Sequence, residues 1–392
     1  MRIKTGKKWT RPIIKLPRAA IITICVLPAV LTGLYYALRC VTIVMDWASV
    51  YISAPVRGFL GLLSSVYPLS VMEILCAVVV IWLIYYIVKT IMVISRRRGK
   101  LKILIRRILP VIVAAVYIWG LFCWLWNSGY YTSGFAKKNG FTGGGVTSED
   151  LTSVARLFAD KANEFSLYVK RNDFGHYIED RSEILAESTD IYQNIAFEFP
   201  SLSGRSFAPK PMIFSWLMSR TGYTGIYFAL TGEANVNNNM PAFLLPATAA
   251  HELAHQHGVF AEDEANFVGI ATCIKSGNTV YEYAGYLSGL MYLMNALIFA
   301  DYEAWIDIGG SLYDEVLLDW QDNNVYWQAQ KKVDTGIAFI DRILTSVTET
   351  VSDTVDNVYD GFLKSQNQEL GLRSYGACVD LLVEYFIGAA YF

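Results

Sequence analysis

The chain has 392 residues, 54% of them hydrophobic and 14% aromatic, with a mean hydropathy of +0.32 and a formal net charge of −2. That is too apolar for an ordinary soluble enzyme and too polar for a protein that is all membrane; a membrane part plus a folded domain fits both. Basic residues crowd the first 107 positions and acidic ones the rest, and nothing in the balance suggests a nucleic-acid partner.

Three long apolar stretches come first. One runs from Ala19 to Val44, broken only by Arg39 and by Pro28; a second from Leu69 to Ile94, with Glu73 near one end and Lys89 near the other; a third from Ile108 to Trp126. Each is long enough to cross a hydrocarbon core of roughly 30 Å, which predicts a multi-pass membrane domain over residues 1–127 and contact with a lipid bilayer. A cleavable signal peptide is disfavoured, because the second and third stretches have no cleavage-site pattern. Arg2, Lys4, Lys7, Lys8, Arg11, Lys15 and Arg18 precede the first stretch, and seven more basic residues lie between Arg96 and Arg107. The loop between the first two stretches has only Arg57 as a basic residue. This asymmetry places the N-terminus and the second loop in the cytoplasm, and everything after Asn127 outside it, at the cell membrane. Four of the six cysteines fall in the membrane stretches. Cys273 and Cys378 lie further on in apolar helical patterns, and both one disulfide and two buried thiols are open.

Residues 128–146 read SGYYTSGFAKKNGFTGGGV, a composition that predicts a linker leading out of the membrane. TSED at 147–150 is a helix start, with Thr147 as cap and Asp150 three later. It opens the outer domain, 147–392, with an amphipathic helix to about Lys170 that buries Leu151, Val154, Ala155, Phe158, Ala162 and Phe165. Another helix is expected over Glu179 to Phe197. GIYFAL and TGEANVNNN predict one or two strands. PATAAHELAHQHG predicts a helix, with Pro246 in its first turn and Gly258 at its end. A second should begin near Ala261 and run past Cys273, and from Val280 onward the pattern stays helical. Residues 283–300 carry no charge over 18 positions. A buried helix is preferred there over a fourth span, which would leave the last 90 or so residues in the cytoplasm, cut off from the histidines.

Chemistry concentrates in HELAHQHGVFAEDEAN, residues 251–266, which hold three of the four histidines. His251-Glu-Leu-Ala-His255 is H-E-x-x-H. On a helix, positions i and i+4 share a face, so both imidazoles can bind one ion. Zinc suits such a pair, and a catalytic site uses three protein ligands with one position open. Glu252 then acts as general base on the attacking water. The third ligand comes from Glu262, Asp263 or Glu264, presented by the next helix; Glu262 is favoured and Glu264 is the fallback. Asn266, on the same face as Glu262, is a candidate hydrogen-bond partner for a ligand histidine. His257 sits off the ligand face, in a surface or supporting role.

The stretch HELAHQHGVFAEDEANF, with GIYFALTGEANVN before it and SYGACVDLLVEYF near the C-terminus, resembles DUF3810. This is a family of bacterial membrane proteins with an HExxHQxG and ExEANF signature. The resemblance covers most of the chain, and implies N-terminal membrane helices followed by a metallopeptidase-like domain. E-x-x-A-N is also similar to the glutamate-ligand motif of gluzincin peptidases, in which an aspartate often fills the last position. Carried over, it makes Glu262 the ligand and puts Asn266 where the aspartate stands. The departure is the short spacing, with His255 and Glu262 only seven apart.

Further candidates surround this core. Gly225, Ile226 and Tyr227 are read as part of an edge strand that binds an extended substrate; a plain hairpin is the alternative. Glu233 and Asn235 are placed in the same cleft. Tyr375, in Ser374-Tyr375-Gly376, is a candidate oxyanion stabiliser, with a buried structural tyrosine as the alternative. His176 is isolated and reads as a surface residue. Together these predict three membrane helices and a mainly helical, zincin-like extracytoplasmic domain with a small sheet. The expected activity is zinc-dependent hydrolysis of a peptide or protein substrate. The alternatives are a structural zinc site without catalysis, and an intramembrane protease; the second is disfavoured because the motif lies over 120 positions beyond the third stretch.

Overall fold

The computed structural model of the protein describes residues 17–97, 99–330, 350, 352–358, 360–364 and 375–390. The first apolar stretch forms α1 (Arg18–Leu38), with Pro28 inside it. It does not run on to Val44. The Arg39 guanidinium lies over the rings of Tyr36 and Tyr131, which fixes a charge where a continuing span needs an apolar residue. The chain restarts as α2 (Thr42–Ala48), a π-helical turn, and α3 (Ala54–Ser65). α1 itself has 21 residues, close to the roughly 20 that a crossing needs. The next two stretches form α4 (Val71–Arg96) and α5 (Lys100–Leu125), both long and apolar enough to cross a membrane. α1 packs on α5, where the Trp124 indole donates to the Leu31 carbonyl at 3.0 Å.

Residues 128–146 pack into the fold over 128–136 and are exposed over 142–145. They start in a 3-10 turn and include α6 (Phe135–Lys138), with Tyr130 and Phe135 buried in the main core. Burial of an aromatic such as Phe135 contributes about 1.5–3 kcal/mol, which outweighs the glycine content of the segment. Gly129 makes this docking possible, since a Cβ there would lie 2.1 Å from the Phe260 ring.

The predicted capping box opens α7 (Ser148–Ser166), with Thr147 and Asp150 each satisfying the other's amide. Leu151, Val154, Ala155, Phe158 and Ala162 are buried, and Phe165 packs partly buried against the core. The single helix expected over 179–197 is two, α8 (Arg181–Glu187) and α9 (Tyr192–Glu198). The Ser188 hydroxyl turns back to the Leu185 carbonyl, and the Tyr192 hydroxyl donates to the Ala250 carbonyl at 2.7 Å. The break lets the second piece seat on the histidine helix.

Three short strands form one sheet in the order β1-β3-β2, with β1 (Lys210–Pro211) parallel and β2 (Gly225–Phe228) antiparallel to β3 (Glu233–Val236). α10 (Ser215–Arg220) lies between β1 and β2 in the chain. Across the sheet lies α11 (Leu245–Gln256), with Pro246 in its first turn, and α12 (Glu262–Lys275) packs against α11. The two helices meet closely at Gly269, where a Cβ would lie 3.0 Å from the His251 amide nitrogen. α13 (Thr279–Ala300) is long and apolar enough for a span, yet half of its apolar window is buried. Tyr281, Tyr283, Leu287 and Leu290 are fully buried as α13 packs on α7 and α12, which makes it a core helix of the domain. After α14 (Tyr302–Gly310) and α15 (Asp314–Gln330), α16 (Tyr375–Ala390) closes the core against α7 and α12. Cys273 and Cys378 are both buried and unbonded.

The loop between α1 and α4 is part of this domain. Buried Glu233 accepts the amides of Val71 and Met72, each at 3.0 Å, and the Lys210 ammonium. Lys210 also donates to the carbonyls of Ser64 and Leu69. Glu73 accepts the amides of Ile213 and Phe214 at 2.9 and 2.8 Å. A carboxylate at the first turn of α4 also suits the helix dipole. These paired charges clamp the start of α4 to the sheet.

Candidate metal centre

α11 carries His251 and His255 one turn apart on one face. Their rings lie 4.7 Å apart at 86°. Gly258, at φ +92, ends the helix as predicted. The chain then turns, and the first turn of α12 returns Glu262 to the same point. Its Oε2 lies 3.3 Å from His251 Nε2 and 3.6 Å from His255 Nε2. One ligand atom from each of the three lies within 4.8 Å of the others.

Several observations test whether this set fits zinc. Bonds of 2.0–2.2 Å in a tetrahedron put ligand atoms about 3.3–3.6 Å apart, which the two histidine–glutamate distances match. His255 Nδ1 lies 2.7 Å from the Val259 carbonyl. A carbonyl only accepts, so Nδ1 carries a proton and Nε2 is the nitrogen left to bind an ion. Burial alone would raise the Glu262 carboxyl, but His255 and His251 outweigh it and hold the group well below the usual carboxylate range. Glu252 is buried, and its Oε2 has no hydrogen-bond partner among the described residues. Burial pushes its carboxyl up to about 8, with His251 opposing and the Glu262 charge adding. A cation seated among the three ligands supplies the positive charge that this carboxylate lacks. The donor set and the orphaned carboxylate both fit the ion.

Other predicted residues fall elsewhere. Glu264 is buried, but its two oxygens accept the amides of Phe135 and Ala136, each at 2.8 Å. It holds the segment after α5 instead of facing the histidines. Asn266 bonds neither ligand ring: His255 Nδ1 faces Val259, and His251 Nδ1 is buried without a partner among the described residues. His257 turns away, with Nε2 2.9 Å from the Ser206 hydroxyl and its ring stacked 4.4 Å from Tyr192. It is packed in a supporting role. Gly225 of β2 stands against Glu252, where a Cβ would lie 2.3 Å from Oε1. Ile226 is exposed at the same edge and Tyr227 is buried behind it. Glu233 and Asn235 do not line a cleft. Both are buried, Glu233 on α4 and Lys210, Asn235 within the sheet against the Ile226 carbonyl. The side chain of Tyr375 lies outside the described residues. His176 pairs with Asp322 on the surface.

Three residues near the site went unread. Arg57 of α3 is buried, donates to the His255 carbonyl at 3.2 Å, and lies over the Phe260 ring. A cation at the C-terminal end of α11 is favourable for its dipole. Its signal was in the sequence, as the single basic residue of its loop. Trp126, directly after α5, puts its ring 5.3 Å from that of His255. Tyr130 is buried, and burial followed by the Glu262 charge raises its hydroxyl well above the usual tyrosine range. Nothing in local sequence marks the last two. Sequence separation did not suggest that His255 meets Trp126, at the end of the third apolar stretch.

A membrane-type helical protein with a His-His-Glu centre is what fold and site define together. Residues 49–383 match the family described as "Protein of unknown function (DUF3810)", and the chain belongs to that family. No curated protein and no solved structure matches it.

Proposed function

We propose that the chain is a membrane-anchored zinc peptidase working on the extracytoplasmic side. The observation that carries this reading is the convergence of His251, His255 and Glu262 beside buried Glu252, whose Oε2 has no hydrogen-bond partner among the described residues. Zinc held by the three ligands supplies a Lewis acid that polarises a carbonyl and eases deprotonation of water. Glu252 takes a proton from the attacking water and passes it to the leaving amine, so hydroxide adds to the acyl carbon as the C–N bond breaks. Val259, through His255 Nδ1, keeps that imidazole aimed. β2 offers an open strand edge beside Glu252 on which an extended peptide backbone can lie. The basic residues flanking α4 and α5 support a cytoplasmic turn between those helices and an outward-facing site.

The test is the Glu252→Gln variant of the full chain, purified with zinc and offered a broad peptide library. Glutamine keeps the shape and cannot take the proton. Zinc content should stay at one per chain while hydrolysis falls about 10²–10⁴-fold. An unchanged rate removes Glu252 from the mechanism. A wild-type chain full of zinc that cuts nothing in the library points instead to a structural ion.

A further inference from the structure

The strand edge beside Glu252 leads to the boundary of the apolar helices over a short distance. At one end of β2, Gly225 touches the Glu252 carboxylate. At the other, Phe228 pairs with Glu233, whose carboxylate accepts the amides of Val71 and Met72, the first residues of α4. Three residue steps of about 3.3 Å separate the ends, so roughly 10 Å of extended chain joins the reactive carboxylate to the start of an apolar helix. On the other flank, Trp126 follows the last residue of α5 and contacts His255. The outer ends of two apolar helices thus frame one site.

The surface beside the start of α4 is apolar as well. Ile213, Phe214, Trp216 and Leu217 are exposed, and Glu73 in the first turn of α4 holds the amides of the first two. An exposed apolar ledge tied to the first turn of α4 suits contact with a bilayer surface. The edge itself has the right polarity for a chain. The Asn237 amide donates to the Thr224 carbonyl. By the alternation of an antiparallel ladder, Gly225 and Tyr227 then turn their backbone groups outward. No described strand pairs with them.

We infer that the site receives the juxtamembrane stretch of a membrane-anchored polypeptide. The stretch adds to β2, and the bond at Glu252 lies about three to six residues from the start of the substrate's own apolar helix. The binding follows from placement; the cut rests on the peptidase reading. A polypeptide is the occupant because the edge offers backbone donors and acceptors at strand spacing. Anchoring in the same bilayer raises its local concentration at that edge.

Two readouts on the full chain in liposomes test this separately. First, the wild type with zinc is given single-pass polypeptides that carry a randomised extracytoplasmic segment, beside the same segments without an anchor. Cut positions are read by mass spectrometry. Cuts should cluster within about six residues of the apolar boundary, and the unanchored segments should be cut at least tenfold more slowly. Cuts scattered along the segment, or equal rates for both libraries, overturn the inference and leave the peptidase reading standing. Second, a photo-crosslinking residue at Ile226 in the Glu252→Gln variant traps what lies on β2 without any turnover. Crosslinks should fall on the anchored library close to its apolar boundary. Crosslinks there without wild-type cleavage support the binding and sink the peptidase reading. Crosslinks with no preference for the anchored library sink the binding.

Discussion

At the scale of single residues, two glutamates separated by one position have opposite duties. Glu262 reaches both imidazoles, while Glu264 spends both oxygens on the amides of Phe135 and Ala136. Positions two apart on a helix point in different directions, so only one can face α11. His251→Ala, His255→Ala and Glu262→Ala should each strip zinc from the purified full chain, read by elemental analysis. Glu264→Ala should keep the ion and lose stability instead. Hydrogen bonds to a charged acceptor are worth about 1.5–3 kcal/mol each, and one of these two is buried and one part-buried, so denaturant unfolding should move by about 3 kcal/mol. A folded Glu264→Ala chain without zinc, beside a zinc-loaded Glu262→Ala chain, would reverse the assignment. The sequence made His251, Glu252 and His255 legible because i, i+4 spacing is a local rule. Asn266 was misplaced because the partner of an imidazole depends on how the turn folds. Here the carbonyl of Val259, four residues after His255, accepts the hydrogen bond from Nδ1–H.

At the scale of elements, strong local signals were legible and tertiary choices were not. The capping box at Thr147, the proline and glycine that bound α11, and the apolar runs of α4 and α5 all act through their own segment. Glu233 shows the limit. Its neighbours read as a polar loop near the site, yet its carboxylate is turned to α4, 161 residues away from Met72. The glycine-rich 128–146 segment was misread for the same reason, since its aromatic residues find the core only in the assembled fold. The β2–α11 contact gives the prediction at this scale. Gly225 leaves no room for a side chain, because a Cβ would lie 2.3 Å from Glu252 Oε1 and 2.8 Å from Cδ. Gly225→Ala must therefore displace the carboxylate. A shift of about 1 Å at a reacting group costs on the order of 10²-fold in rate. The variant should keep its zinc and its melting curve while turnover drops by about that factor; full activity would show that the carboxylate position is not critical.

At the scale of the whole molecule, the apolar helices and the His251, His255 and Glu262 cluster form one unit. A reporter fused after residue 140 should be active only outside the cytoplasm, following the basic turn between α4 and α5; activity inside would reverse the orientation. The stronger consequence concerns cutting the chain. A boundary at 128 looked natural from composition, but it removes Arg57 from the His255 carbonyl, Trp126 from the His255 ring, and Glu73 from the amides after β1. It also deprives Lys210 of two carbonyl acceptors and Glu233 of two amides, leaving a buried ion pair half solvated. Breaking a buried charged network by removing partners costs about 3–5 kcal/mol, a large share of the roughly 5–15 kcal/mol that holds a domain folded. Residues 128–392 expressed alone should therefore show no cooperative melt and bind zinc poorly. Residues 49–392, which keep α3 to α5, should retain both when held in detergent. A fragment from 128 that melts cooperatively with a full zinc complement would show that the C-terminal part stands without the apolar helices α4 and α5. It would also mean that the contacts of Arg57 and Glu73 orient the domain without stabilising it.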